Sequence, residues 1–99
     1  MTINVEAVEF KADVKLEELI QKKVGKLETF FDKIIDAEVH LRLENKNTQV
    51  KDKMVNITLR VPGQSLIAKG TSKTFEESLE MAVESSRRQL EKYKEKLRD

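Results

Sequence analysis

Three stretches of the chain alternate apolar and polar residues, and each can bury one side only. In 34–44, Val39, Leu41 and Leu43 are set against Glu38, His40, Arg42 and Glu44. Further on, Val55, Ile57, Leu59 and Val61 alternate with Asn56, Thr58 and Arg60, and in 65–71 Leu66 and Ala68 point inward. A period of two with one apolar side is a half-buried strand. Pro62-Gly63-Gln64 between the last two stretches is a turn signal. Strands of this kind form an antiparallel sheet with one face on a core and the other in water. Such a sheet needs a cover, and the chain has two helical stretches to supply it.

The first runs over 14–31, where Leu16, Leu19, Ile20, Val24, Leu27, Phe30 and Phe31 recur at helical spacing behind Asp13 as N-cap. Gly25 costs this helix about 1 kcal/mol relative to alanine. It falls on the polar side, so the helix is expected to pass through it. The second runs over 74–97 and gathers Phe75, Leu79, Ala82, Val83, Ser86, Leu90, Tyr93 and Leu97 on one face at about 100° per residue. Thr74 followed by Glu77 fits a capping box at its start. Residues 2–8, with Ile3, Val5 and Ala7 on one side, read as a further strand, and the polar run NKNTQVKD at 45–52 as a loop.

The order is therefore β-α-β-β-β-α, an α+β fold with a four-stranded sheet and two helices packed on one face. Glu38, His40, Arg42, Asn56, Thr58, Arg60 and Lys69 are left on the open face. The α-β-β-β-α part resembles the double-stranded-RNA-binding domain in topology, which by itself does not give function.

Ninety-nine residues suit one domain. With 38% hydrophobic and 37% charged residues, that domain is globular under a heavily charged surface. The absence of cysteine excludes disulfides and thiolate metal sites and agrees with a reducing compartment. The N-terminus lacks a signal-peptide pattern, and no apolar run approaches the ~20 residues that span a bilayer. We expect a soluble, cytoplasmic protein with no membrane partner.

Signals for chemistry are weak. His40 has no second histidine or cysteine to share a metal. Ser85 and Ser86 have no base placed to activate them. Gly25, Gly63 and Gly70 are isolated and form no phosphate loop. Glu17-Glu18 and Glu76-Glu77 read as ordinary helix surface. No enzyme, cofactor or metal is expected.

A formal net charge of +1 argues against a nucleic-acid binder if taken alone. Electrostatic function must then come from how the charges are sorted. On the first helix, Lys15, Lys22, Lys26 and Lys33 share a band of about 40°, with Glu17, Glu28 and Asp32 on the opposite flank. A helix supported by its own i,i+4 pairs would interleave the signs instead. On the last helix, Arg88, Lys92 and Lys96 form a row at i, i+4 and i+8, and Arg87, Lys94 and Arg98 form another on the far flank. The helix dipole explains late bases. It acts over the terminal turn, however, and Arg87 and Arg88 stand about two and a half turns before the end. Two helices side by side are expected to bring their basic rows together into one phosphate-binding surface. Without aromatics among the bases, backbone or shape recognition of folded RNA fits better than base stacking.

The run KLETFFDKI at 26–34 and the run RQLEKYKEKL at 88–97 carry a more specific match, together with VPGQ at 61–64 and the step into Thr74-Phe75. Through them the whole chain resembles the short ribosome hibernation-promoting factors, the family that includes ribosome-associated inhibitor A. The resemblance implies a β-α-β-β-β-α domain bound to the small ribosomal subunit, in the channel of the A and P sites where messenger and transfer RNA would sit. It implies contacts to ribosomal RNA from Lys23 and Lys26 on the first helix and from Arg88 and Lys92 on the second, with Lys22, Lys33 and Lys96 as neighbours on the same rows. The match departs at Thr29 and Ser85, where some relatives carry further bases. Longer members add a C-terminal domain that pairs ribosomes. This chain stops at Asp99, directly after the last helix, and also lacks the acidic tail of the inhibitor A branch. By resemblance it silences single ribosomes in stationary phase or stress, or acts with a separate ribosome-dimerising factor, and is a monomer away from the ribosome. Two rivals remain at this point: a double-stranded-RNA-binding domain with another RNA target, and a protein-interaction module using the open face around Arg42, Asn56 and Arg60.

Overall fold

The structure, a computed structural model, describes residues 1–44 and 52–97. The elements are β1 (Thr2–Ala7), α1 (Val14–Gly25), a 3₁₀ segment (Lys26–Thr29), β2 (Asp36–Glu44), β3 (Asp52–Val61), β4 (Gln64–Ser72) and α2 (Phe75–Leu97). They form one sheet in the order β1-β2-β3-β4, antiparallel except that β1 runs parallel to β2. A parallel neighbour needs a crossover, and α1 supplies it. The expected strand pattern holds to within a few residues. Of the loop read at 45–52, only Asp52 is described, as the first residue of β3; the rest lies outside the described residues, as does Arg98.

Register explains the core. Val5, Val39, Ile57 and Ala68 lie side by side across the four strands, and Ala7, Leu41, Val55 and Gly70 make the next row. These rows face the helices. Val39, Leu41, Val55 and Ile57 lose all contact with water, as do Ile20, Val24, Leu79 and Leu90 opposite them. Val61 pairs with Gln64, so Pro62 and Gly63 are the whole hairpin turn. Gly63 has φ 87°. Proline followed by a residue at positive φ is the pattern of a type II turn.

Asp13 Oδ1 accepts from the Leu16 backbone N–H at 2.7 Å, capping α1 as expected. The α-helix does not continue through Gly25, however. It ends there and tightens into the 3₁₀ segment. Thr29 Oγ1 donates to the Lys26 carbonyl at 2.7 Å, a local bond of the kind that competes with helix propagation. Lys33 consequently falls in a turn, and Phe30 is left 38% exposed while Phe31 and Ile34 enter the core.

At the start of α2, Thr74 Oγ1 accepts from the Glu77 N–H at 3.1 Å. The Thr74 N–H goes to Ser72 Oγ at 3.2 Å instead of to Glu77, so only half of the capping box forms. Ser78 Oγ donates to the Lys53 carbonyl of β3 at 2.5 Å. This bond lies where α2 comes closest to the sheet. A Cβ added to Gly70 would stand 2.0 Å from the Ser78 carbonyl oxygen. Two ring pairs fix the helix at its ends: Phe10 stacks on Phe75, and Phe31 meets Tyr93 edge-on, both at 5.3 Å between centroids. Tyr93 Oη donates to the Pro62 carbonyl at 2.6 Å, which ties α2 to the hairpin. Leu97, placed on the apolar face by its spacing, is 58% exposed because the helix has run past the sheet.

Ser86 sits on the core face of α2, 1% exposed, and its hydroxyl has no hydrogen-bond partner among the described residues. An unpaired buried hydroxyl costs about 1–3 kcal/mol in desolvation. Ser86→Ala should therefore raise stability by about 1 kcal/mol, read as a higher urea midpoint with an unchanged slope. A lower midpoint would mean that the hydroxyl has a partner.

Both sheet edges carry the same device. On β1, the Ile3 carbonyl accepts from Gln21 Nε2 of α1 at 3.0 Å. On β4, the Ile67 carbonyl accepts from Gln89 Nε2 of α2 at 2.8 Å.

Candidate nucleic-acid interface

α2 follows β4 and packs over β3 and β4, whereas α1 follows β1 and lies on the same face beside α2, toward the β1 edge. The two flanks of α2 therefore meet different neighbours. One flank looks over β4. Lys92 and Lys96 there border a cleft of about 170 Å³ together with Gln64, Leu66, Gln89 and Tyr93. Arg88, Lys92 and Lys96 are exposed and make no ion pair among the described residues. Four-residue steps put them about 6 Å apart along the helix axis, a row of three cations outside any salt bridge on a rigid element.

The other flank faces α1. Lys23 Nζ lies 2.8 Å from Glu80 Oε1 across the gap between the helices. The Arg87 guanidinium sits 5.9 Å above the ring of Phe30. Arg87 is also held by Glu84, at 2.5 and 3.1 Å, and by Glu91, at 2.5 Å. The hydrogen bond to Arg87 keeps the Glu84 carboxyl below the usual carboxylate range, and Glu84 in turn raises Arg87. Arg87 is thus a structural cation occupied by two acids.

The expected juxtaposition of basic rows is accordingly corrected. The lysine side of α1 meets the flank of α2 that carries Glu80, Glu84, Arg87 and Glu91, and the Arg88 row lies beyond it. Lys22 and Lys26 are exposed and without ion pairs among the described residues, Lys26 at the first position of the 3₁₀ segment. Lys33 is exposed in the following turn, off the helical row that a continuous α-helix would make. Among the described residues Lys23 is the one candidate in a salt bridge, and an incoming phosphate would have to compete with Glu80. The seven candidates form two separate basic patches with an acid-lined seam between them.

The cleft beside Lys92 is absent from the sequence reading. Gln64 and Leu66 on β4 and Gln89 on α2 share no periodic pattern with the lysines. Only the crossing of α2 over the hairpin brings them together.

The open sheet face mixes signs. Asp36 and Arg60 form a two-point ion pair, with Arg60 Nε 2.8 and 3.0 Å from the two carboxylate oxygens. That bond lowers the Asp36 carboxyl and raises Arg60. His40 Nε2 lies 3.3 Å from Glu6. A broad cavity of about 430 Å³ is lined by His40, Arg42, Glu44, Met54, Asn56 and Lys69, with Met54 as its nearly buried floor. Among the described residues no three His, Asp or Glu side chains are placed to hold a metal ion, and no helix is long and apolar enough to cross a membrane.

Comparison with known proteins adds sequence and fold relatives. The family described as sigma 54 modulation protein / S30EA ribosomal protein matches residues 3–98. A ribosome hibernation promotion factor of Bacillus subtilis is 26% identical over 97 residues, covering 98% of this chain. The chain spans 50% of that relative's length. A ribosome hibernation promoting factor of Pseudomonas putida is 25% identical over 96 residues, covering 97% of this chain and 89% of the relative. Among solved structures, a ribosomal subunit interface protein from Coxiella burnetii superposes with a TM-score of 0.83 at 21% identity, over 95% of this chain and 98% of that one. At that identity it bears on the fold alone.

Proposed function

Because the chain belongs to the sigma 54 modulation protein / S30EA ribosomal protein family, we propose that it is a ribosome hibernation factor that binds ribosomal RNA of the small subunit. It occupies the decoding channel at the A and P sites and excludes messenger and transfer RNA, so translation stops in stationary phase or stress. The mechanism is steric occupation by a rigid domain and involves no catalytic step. Such a factor works in the cytoplasm, where its ribosomes are.

The observation that carries this reading is the row Arg88, Lys92 and Lys96, exposed on a nearly neutral chain and without a salt bridge among the described residues, although Arg88 feels the charge of Glu84 one turn earlier. Where other cations are engaged by acids, as Arg87 and Lys23 are, these three are available to phosphate oxygens. Arginine brings a planar fork to them and lysine a point charge. Lys22 on α1 and Lys26 on the 3₁₀ segment make a second contact patch, Lys33 extends it, and Lys23 joins when phosphate displaces Glu80. Because the patches are separate, the reading requires RNA on two sides of the acidic seam, as a channel wall or a fold of the RNA provides.

Sedimentation with purified small subunits tests it. The protein is expected to travel with small subunits at moderate salt and to be displaced as salt rises. Messenger RNA and transfer RNA bound beforehand should reduce its binding. Equal competition by plain RNA duplex would instead favour a general duplex binder, in keeping with the α-β-β-β-α topology. Binding that ignores both messenger and transfer RNA would remove the decoding channel from the reading.

A further inference from the structure

We propose that the cleft between α2 and the β3–β4 hairpin takes one unstacked base of single-stranded RNA, beside phosphates held by Lys92 and Lys96. The inference rests on the RNA-binding reading above and adds a base contact to what is otherwise recognition of backbone.

Among the described residues, the chemistry of this cleft points to a single ligand class. Leu66 and the buried ring of Tyr93 supply an apolar wall, Gln64 and Gln89 supply amides, and Lys92 and Lys96 supply two cations at the rim. No carboxylate is among its described lining residues. A flat apolar ring with polar edges and an anionic backbone on one side is a nucleotide. The volume of about 170 Å³ is below the roughly 300–1,000 Å³ of pockets that enclose drug-sized ligands. It suits one ring system. The larger cavity on the open face sets Glu44 among Arg42, Lys69 and His40, so its cations share their wall with an acid.

Gln89 also has a fixed polarity. Its Nε2 donates to the Ile67 carbonyl at 2.8 Å and approaches Ser85 Oγ at 3.3 Å. Both N–H groups have partners, and the amide oxygen has none among the described residues. The oxygen is therefore the atom offered to a ligand, and it accepts from a ring N–H or exocyclic amine on a base edge. Duplex RNA keeps those donors paired, so the cleft selects a base that is unpaired and turned out of the stack.

The chain has one tyrosine and no tryptophan, so intrinsic tyrosine emission reports on the cleft alone. Titration with a short single-stranded RNA is expected to quench Tyr93 emission. A duplex of the same sequence should bind through the lysines without that quench. Leu66→Trp, which fills the cleft, should weaken the single strand about tenfold, the scale of one base contact, with duplex affinity unchanged. These are measured by anisotropy of a labelled oligomer, after thermal unfolding has shown each variant to be folded. If Leu66→Trp does not fold, Gln89→Ala is read in the same way. Quenching by a free nucleoside monophosphate as strong as by the oligomer would overturn the assignment to RNA. Equal binding of single strands by wild type and the filled cleft would overturn the cleft, while wild-type sedimentation with small subunits left the ribosome reading standing. Failure of that sedimentation would sink the ribosome reading alone, since the oligomer comparison decides the cleft by itself.

Discussion

Gly70→Ala is expected to lower stability by about 3 kcal/mol, the upper end of overpacking costs. For a domain of this size that is a fall in Tm of roughly 15 °C. The added methyl would stand 2.0 Å from the Ser78 carbonyl oxygen and 2.9 Å from both the Ser78 carbonyl carbon and Met81 Cβ. The first two atoms are helix backbone, so no rotamer change relieves the contact. Either α2 lifts off β3 and β4 or the strand bends. Lifting α2 would also break the bond from Ser78 Oγ to the Lys53 carbonyl. Nothing about strand backbone at Gly70 forbids alanine, which ordinarily strengthens a strand relative to glycine. Gly63 is the natural control. It has nothing within 4 Å of an added Cβ but holds φ at 87°. Alanine there should cost only about 1–2 kcal/mol, the price of a left-handed backbone. A Gly70→Ala protein as stable as the parent would mean that α2 does not ride this close to the sheet.

The second large effect is on binding. Arg88→Glu with Lys92→Glu should weaken association with small subunits by about 100-fold at moderate salt and lower the slope of log affinity against log salt by about 2. Both side chains are exposed and make no salt bridge among the described residues, so the double variant should lose only about 1 kcal/mol, from the like-charge pairs it makes with Glu84, Glu91 and Glu95. That separation matters for interpretation. Lys23→Glu faces Glu80 across the helix–helix gap and would replace an attraction with a repulsion. Loss of binding in that variant would mix lost phosphate contact with a displaced helix. If the Arg88/Lys92 variant binds as tightly as the parent, the row over β4 is not the contact surface.

The alternation of Val39, Leu41 and Leu43 and of Val55, Ile57, Leu59 and Val61 was enough to place β2 and β3, because one-sided burial and a period of two leave a single solution. The cap at Asp13 and the turn at Pro62-Gly63 were equally legible, each being set by a local side chain or a local φ. Less local features were not. A helical wheel assumes one twist throughout, and the 3₁₀ segment at Lys26–Thr29, with about 3.0 residues per turn, takes Lys33 off the row that the wheel drew. The wheel also cannot say which flank of α2 will face α1. That depends on strand order: β1 beside β2 carries α1 to the side away from β4. One signal did exist. Glu84, Arg87 and Glu91 stand at i, i+3 and i+7, and with Glu80 one turn earlier they make an acid-rich flank. Such a flank suits the lysine side of another helix, and the structure pairs them through Lys23. Gly70 was visible only as an isolated glycine, since its role exists where the helix axis happens to cross the strand.

The two glutamines at the sheet edges bear on how the protein behaves in bulk. An uncovered edge strand offers its carbonyls to another chain, and growth by strand addition can then continue from copy to copy. Here one carbonyl at each end of the sheet is already stoppered by an amide from the helix above it, Gln21 on Ile3 and Gln89 on Ile67. The bond on β4 takes up the backbone carbonyl of Ile67, while the side chain of that residue remains 60% exposed. Each edge strand therefore has one fewer carbonyl to offer a neighbouring copy, and the helix above it, not the strand itself, sets that limit.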